Sequence, residues 1–202
     1  MNLLQRAINK VYNVQLVFRF HENPPTPFPP DERPEFEYLV CDEELLERYF
    51  ADDERLKQRF TKWMNEGSVG AVVVGDGEWA SYVWLRTPDA PPPLGLPGNA
   101  AGKEYWLYYS YTKVNFRGKG LYKRAMAFLM NEAFKRDPQP AIYGIISPIN
   151  IPPRKALRSL RFEPAGVLTI YSLWIPKLYH YPFYAYWRRN ARHDQLIKDE
   201  VG

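Results

Sequence analysis

The sequence predicts an α/β (α+β) fold, in which a mixed, mostly antiparallel central sheet carries helices on both faces. Two patterns support this prediction. Strand-like segments at residues 68–74 and 78–86 flank a Gly-Asp-Gly turn at residues 75–77, which is typical of an antiparallel hairpin. Further along, an aromatic strand, a helix and the short apolar strand at residues 141–147 form a βαβ crossover, whose strands run parallel.

The first part of the chain is divided by apolar spacing and by prolines. The elements predicted there are an amphipathic helix at residues 3–11, a strand at 14–20, a proline-dense connector at 22–34 and a strand at 35–40. Asp42 is placed to cap a helix whose apolar residues continue to Phe50. A second helix is predicted to begin near Asp52 and to end at Gly67.

The rest of the chain alternates strands and helices. The predicted elements are a long proline-rich loop at residues 87–103, a strand at 104–114, a helix at about 120–135, the strand at 141–147, a helix after Asn150 and strands at 166–174 and 181–187. Pro152 and Pro153 fit only the first turn of a helix. We predict one domain over residues 1–202, with an N-terminal extension at about 1–34 and a polar C-terminal tail at about 188–202.

Composition excludes several classes of protein. The chain has 46% hydrophobic and 25% charged residues, which is ordinary for a soluble globular protein. The one cysteine, Cys41, cannot form an internal disulfide and is predicted to be a small buried residue. Without an apolar run of 18 residues we predict no membrane span and a cytoplasmic location. The net charge of +4 is too small to indicate a nucleic-acid partner.

The segment VNFRGKGLYKRAM, residues 114–126, places two glycines before the first turn of a predicted helix. Gly118 and Gly120 allow a tight turn and a close approach of a ligand to the backbone. A helix start has unpaired N–H groups and a partial positive charge, and Arg117 and Lys119 add further positive charge. The pattern predicts a phosphate-binding loop; the alternative is a helix that simply begins at a tight turn.

The segment RGKGLY at residues 117–122 resembles the motif Gln/Arg-x-x-Gly-x-Gly/Ala of the GNAT acetyltransferase superfamily. The resemblance implies that the pyrophosphate of acetyl-coenzyme A is bound by Arg117, Gly118, Lys119, Gly120, Leu121 and Tyr122. Tyr122 stands where the family usually has glycine or alanine. Its backbone N–H can still donate, but its side chain is expected to narrow the space beside the phosphates.

A second block, NIPPRKALRSLRF at residues 150–162, resembles the GNAT segment that starts at an asparagine and ends in a glycine–phenylalanine pair. The resemblance implies that Asn150 contacts the pantetheine part of the cofactor and that Phe162 is the closing phenylalanine. Arg161 replaces the usual glycine. Leu157 stands where many members carry the tyrosine that protonates the leaving thiolate, so this proton must come from elsewhere.

The resemblance also assigns roles to the strand at residues 104–114. It implies that Tyr111 and Thr112 align with the pantetheine arm and that a backbone N–H there polarises the thioester carbonyl. The candidate acids are Tyr109, Ser110, Tyr111 and water. Glu104 is the candidate base, through water. Core packing is the alternative role for each aromatic residue of the strand.

Taken together, the resemblance implies an acyl-CoA-dependent N-acyltransferase that moves an acetyl group from acetyl-CoA to a primary amine of a small molecule. A homodimer is the candidate assembly. One alternative is a non-catalytic acyl-CoA sensor or interaction module. Another is a basic peripheral protein that binds anionic lipid or nucleic acid through Arg188, Arg189 and Arg192. No metal site is predicted, because the three histidines are far apart in sequence.

Overall fold

The computed structural model describes residues 12–22, 25–91, 104–175, 179–189 and 192. The helix predicted at residues 3–11 lies outside the described residues, as do most of the proline-rich loop at 87–103 and nearly all of the polar tail. The chain divides into two compact units. The central unit comprises residues 22–91 and 103–142, and the terminal unit comprises residues 1–21, 92–102 and 143–202. The single domain and its two flanking extensions stay a prediction.

Every strand and helix predicted within the described residues is present. In chain order the elements are β1 (Tyr12–Phe20), β2 (Phe36–Val40), α1 (Glu43–Phe50), α2 (Glu54–Asn65), β3 (Val69–Gly75), β4 (Glu78–Arg86), β5 (Tyr105–Thr112), α3 (Leu121–Arg136), β6 (Ile142–Ile146), α4 (Ile151–Ser159), β7 (Phe162–Ile175) and β8 (Tyr179–Arg188). A short 3₁₀ helix, Val114–Phe116, was not predicted. Because this 3₁₀ helix begins at Val114, β5 ends at Thr112, two residues earlier than predicted.

The strands β2, β3, β4 and β5 of the central unit pair antiparallel in that order. The β3–β4 hairpin closes at the pair Gly75 and Glu78. Asp76 and Gly77 both have positive φ, at 53° and 76°. Two consecutive residues with positive φ are what the tight hairpin turn requires, so the turn chemistry read from the sequence is confirmed.

Helices cover both faces of the central unit's strands. On one face α1 and α2 bury Phe50, Phe60 and Trp63 against Val72 and Trp84. Alternate residues of these strands point to the opposite face, where α3 packs on β3, β4 and β5. The predicted α/β class, with mostly antiparallel pairing and helices on both faces, is confirmed.

The starts of α1 and α2 are set by carboxylate caps. Asp42 Oδ1 accepts a hydrogen bond from Leu45 N at 2.8 Å, and Asp53 Oδ1 accepts one from Leu56 N at 3.0 Å. Each cap satisfies an N–H group that the helix itself leaves unpaired. The second cap is Asp53, and α2 begins at Glu54, two residues after the predicted start near Asp52.

In the terminal unit the strand order is β6, β1, β7, β8, with antiparallel pairing throughout. Leu16 of β1 pairs with Ile146 on one side and with Val167 on the other. Thus β1, which we predicted as part of an N-terminal extension, is an interior strand of this unit. Its residues Leu16, Val17 and Phe18 are fully buried.

Both β7 and β8 are longer than the sequence indicated. β7 begins four residues before its predicted start, because Pro164 reads as the end of a strand. β8 begins two residues before its predicted start, and Pro182 lies inside it as predicted. The pairing of β1 with β7 shifts register between Val167 and Pro164, and that of β7 with β8 shifts next to Pro182. Proline lacks a backbone N–H and is tolerated within a sheet at such bulges.

Of the described helices, none is long and apolar enough to span a membrane.

Candidate functional site

The glycine loop, residues 113–120, joins β5 to α3 in the central unit. Gly118 and Gly120 have φ of +81° and +73°, in the left-handed region that side chains with a Cβ adopt at a cost. A methyl group placed on either glycine would meet nothing within 4 Å. These glycines are therefore needed for their backbone conformation, and the space beside them is open.

The start of α3 differs chemically from the starts of α1 and α2. Gly120 occupies the cap position and offers no side-chain acceptor, and no acidic residue lies in the first turn. The first helical hydrogen bond runs from Arg124 N to Gly120 O at 3.2 Å. The N–H groups of Leu121, Tyr122 and Lys123 thus have no acceptor within the helix. Uncapped N–H groups beside cationic side chains favour an anion.

Arg117 is anchored at the end of β5. Its Nε donates to Thr112 O at 3.2 Å, and its guanidinium lies 5.8 Å from the centre of the Tyr111 ring. The side chain is exposed, and its Nη atoms have no partner among the described residues. The guanidinium is therefore held near the glycine loop, and its Nη atoms can donate hydrogen bonds to an anionic ligand.

β5 contains a bulge at the predicted catalytic residues. Tyr82 of β4 pairs with Tyr111, whereas Trp84 pairs with Tyr108, so two residues of β5 stand opposite one of β4. Tyr109, one of those two, has φ of +39°, which is uncommon for a residue other than glycine. Bulges redirect side chains and are over-represented beside active sites. Ser110 is the second bulged residue and is exposed.

The hydroxyl of Tyr109 is tied into an aromatic cluster. It accepts a hydrogen bond from Arg59 Nη1, and it interacts electrostatically with the Tyr82 hydroxyl. Its ring lies 4.9 Å from that of Trp63 and stacks with that of Tyr82 at 5.8 Å. Burial raises the pKa of Tyr82, so its hydroxyl keeps its proton at neutral pH.

Tyr111 and Thr112 are fixed by one buried serine. Ser81 Oγ donates to Tyr111 O at 3.0 Å and shares a 2.8 Å hydrogen bond with Thr112 Oγ1. The Tyr111 side chain is 42% exposed, so its hydroxyl is available to a bound molecule. No local pattern singled out Ser81, because its role depends on the pairing of β4 with β5.

The Tyr122 hydroxyl interacts with the side chain of Ser110, which is part of the bulge. Burial raises the pKa of this hydroxyl to about 12, and the Ser110 side chain has the smaller, opposite effect. The N–H of Tyr122 remains in the uncapped first turn of α3. The residue that departs from the GNAT motif therefore has its side chain near β5 and its backbone donor at the start of α3.

The two predicted site residues outside the glycine loop and β5 are Glu104 and Asn150. Glu104 precedes β5, and its carbonyl accepts from Arg86 Nη1 at 2.8 Å. Seven residues of extended chain, roughly 23 Å, separate it from Tyr111. Asn150 caps α4 in the terminal unit, is exposed and makes no side-chain cap hydrogen bond.

Leu157, on α4, is a packed core residue. It is 1% exposed, and a methyl group placed on Gly144 would lie 3.0 Å from its Cδ1. At the end of the same helix Arg161 has φ of +65°, the left-handed conformation that the family's glycine would adopt readily. The backbone of this turn is thus compatible with the motif although the residue is not glycine.

We expect the substitution Leu157→Tyr to lower the free energy of unfolding by about 1–3 kcal/mol, because the larger ring overfills a packed site and buries a hydroxyl. Urea unfolding would measure the change. Leu157→Met, which conserves volume, is the control and is expected to cost less than about 1.5 kcal/mol. Parental stability of Leu157→Tyr would show instead that the site has room for a tyrosine.

Comparison with solved structures finds many similar folds, among them the following three. A GNAT-family protein from Novosphingobium aromaticivorans matches 78% of this chain and 62% of its own at 17% identity, with a TM-score of 0.52. A GCN5-related N-acetyltransferase-like protein from Streptococcus suis matches 83% of this chain and 64% of its own at 15% identity, with a TM-score of 0.51. An acetyltransferase from the GNAT family from Colwellia psychrerythraea matches 90% of this chain and 62% of its own at 13% identity, with a TM-score of 0.55.

These likenesses show that the chain has the fold of the GNAT acetyltransferases, and at such identities they show the fold alone. The chain spans between 62% and 64% of the length of these three proteins. No family model and no curated protein matches the sequence. The resemblance inferred from the glycine loop is confirmed at the level of the fold, while the roles of individual residues stay predictions.

Proposed function

We propose that the chain is an acyl-CoA-dependent N-acyltransferase that transfers an acetyl group from acetyl-CoA to a primary amine of a small molecule. The observation that carries the proposal is the start of α3. Two glycines with positive φ precede a helix that has neither a side-chain cap nor an acidic first turn. The exposed Arg117 is anchored beside it. These features fit a pyrophosphate better than any neutral group.

The central unit contains the groups that would hold the cofactor. The phosphate-binding residues are Arg117, Gly118, Lys119, Gly120, Leu121 and Tyr122, with Tyr111 and Thr112 as the positions along the pantetheine arm. Acetyl-CoA, when bound, supplies an activated thioester. The open space beside Gly118 and Gly120 supports this fit, because no side chain there would obstruct a phosphate. Asn150 of the terminal unit stays a predicted pantetheine contact.

Among the hydroxyl-bearing residues of β5, the candidates to hold or move a proton are Tyr109, Ser110 and Tyr111. We propose Tyr111 and Ser110 for this role, because both side chains are exposed. Tyr109 would act as a positioning residue, since its hydroxyl is engaged by Arg59. We do not retain Glu104 as the base, because the length of β5 separates it from these hydroxyls. A neutral amine needs no base before it attacks, and the proton that its nitrogen then loses can pass to the leaving thiolate or to water.

A two-stage experiment tests the proposal. Titration with coenzyme A should raise the melting temperature, because binding to the native state adds stability. Incubation of acetyl-CoA with a panel of amino sugars, amino acids, polyamines and peptides should then release free coenzyme A in an amine-dependent way. The rate should rise with pH toward the pKa of the amine, since only the neutral amine attacks. Absence of the thermal shift would overturn the proposal.

A second candidate is a non-catalytic acyl-CoA sensor. The buried Leu157, which cannot donate a proton, is the observation that favours it. A sensor needs the phosphate-binding loop but no path for an amine. Tight binding of acetyl-CoA with no amine-dependent release across the panel and across several acyl chains would establish the sensor and exclude the transferase.

A further inference from the structure

The proline-rich connector that precedes β2 is fastened to α3 by polar contacts. Phe28 N donates to Asn131 Oδ1 at 2.9 Å, and Asn131 Nδ2 donates back to Phe28 O at 2.9 Å. A second contact joins Asp31 Oδ1 to Arg124 Nη1 at 2.6 Å. The connector and α3 leave a cavity of about 610 Å³ between them. Specific hydrogen bonds, rather than dense packing alone, therefore hold this segment.

Asp31 is the centre of these contacts. Its side chain is only 2% exposed, and it accepts hydrogen bonds from Arg33, Arg124 and Tyr38. The Tyr38 hydroxyl donates to Oδ2 at 2.6 Å. Hydrogen bonds from the Arg33 side chain are the main cause that lowers the pKa of Asp31 to about 2. The carboxylate is thus ionised at neutral pH and fully used as an acceptor.

Arg33 connects this carboxylate to the glycine loop. Its Nε and Nη2 donate to Asp31, with the shortest contact at 2.7 Å. Its Nη1 donates to Lys119 O at 2.9 Å. The guanidinium also lies 4.7 Å from the centre of the Phe36 ring. One rigid group therefore binds a buried anion on one side and a backbone carbonyl between the two loop glycines on the other.

The contact with Lys119 O determines where the next N–H points. A peptide group is planar and trans, so its C=O and N–H point in opposite directions. When Arg33 holds the carbonyl of Lys119, the N–H of Gly120 is directed away from Arg33. Without this contact the peptide could rotate at low cost, because glycine accepts many backbone conformations. The anchor thus selects one orientation of a donor in the predicted phosphate site.

We propose that Arg33, held by Asp31, is a positioning residue that orients the peptide between Lys119 and Gly120 for phosphate binding. The proposal rests on the proposed function, because it assumes that the glycine loop binds coenzyme A. It differs from a simple electrostatic role. A residue that acted by charge alone could be replaced by lysine, whereas lysine lacks the fork that reaches Asp31 and Lys119 O together.

The test compares Arg33→Ala and Arg33→Lys with the parent, and uses Arg55→Ala as the control. Arg55 is exposed on α2, and its substitution removes the same charge. In both Arg33 variants Asp31 keeps Arg124 and Tyr38 as partners, so the fold should persist. We expect both to bind coenzyme A about tenfold more weakly, the size of one lost hydrogen bond to a charged group. Arg55→Ala should bind as the parent does.

The NMR order parameter of the Gly120 amide in the ligand-free protein gives a second readout, because it reports how rigidly that peptide group is held. It should be lower in both Arg33 variants and unchanged in Arg55→Ala. A Gly120 order parameter equal to that of the parent in folded Arg33→Ala would overturn the anchoring role, as would full recovery of affinity in Arg33→Lys. If the parent itself fails to bind coenzyme A, the proposed function falls, and the order parameters still decide whether Arg33 orders the loop.

Discussion

Gly120→Val is expected to weaken coenzyme A binding by about 100-fold, or about 2.7 kcal/mol. Gly120 lies between Arg117 and the first uncapped turn of α3, with φ of +73° and open space around it. A valine would place a branched side chain in that space and would resist the left-handed conformation. Both effects displace the N–H groups proposed to bind phosphate. Isothermal titration with coenzyme A measures the loss.

Gly77→Val is the matched control for this substitution. Gly77 has φ of +76°, has nothing within 4 Å of an added methyl group, and lies in the β3–β4 turn. Both variants therefore carry a similar backbone cost, about 1–2 kcal/mol. Only Gly120→Val should lose affinity for coenzyme A. Equal affinities in the two variants would show that the phosphate site lies elsewhere.

Arg117→Ala is expected to weaken coenzyme A binding by about 10- to 100-fold. A hydrogen bond to a charged group contributes about 1.5–3 kcal/mol, and Arg117 has donors left after its contact with Thr112 O. Arg117→Lys should recover part of the affinity, since it restores charge without the planar fork. Affinities at low and high salt, with Arg55→Ala as the control, separate this effect from a general loss of positive charge. If Arg117→Ala binds coenzyme A as tightly as the parent does, Arg117 does not bind the phosphate.

Local sequence patterns were enough to predict the elements of the fold. The turn at residues 75–77 predicted the β3–β4 hairpin, and Asp42 predicted the start of α1, because turn conformation and helix capping depend on neighbouring residues only. Pro164 caused an error in the predicted length of β7. It reads as a strand end, yet it lies at a bulge that only a partner strand can create.

The glycine loop could be recognised from the sequence, since two glycines before a basic helix start are a local signal. The rest of the site could not. Nothing in the chain predicted that Tyr109 would have positive φ, because the bulge arises from the register between β4 and β5. Likewise, Arg33 is separated from Lys119 by 86 residues, and no periodicity relates the two.

The sequence by itself determined the order of the elements, the hairpin turn, the helix caps and the glycine-rich start of α3. Each of these follows from backbone preferences and hydrogen bonds within a few residues. Only the tertiary structure decided that β1 is an interior strand, that Leu157 packs on Gly144, and that Arg33 holds the glycine loop. These outcomes depend on which distant segments meet, because side-chain packing and strand pairing are settled by the whole chain rather than by local preference.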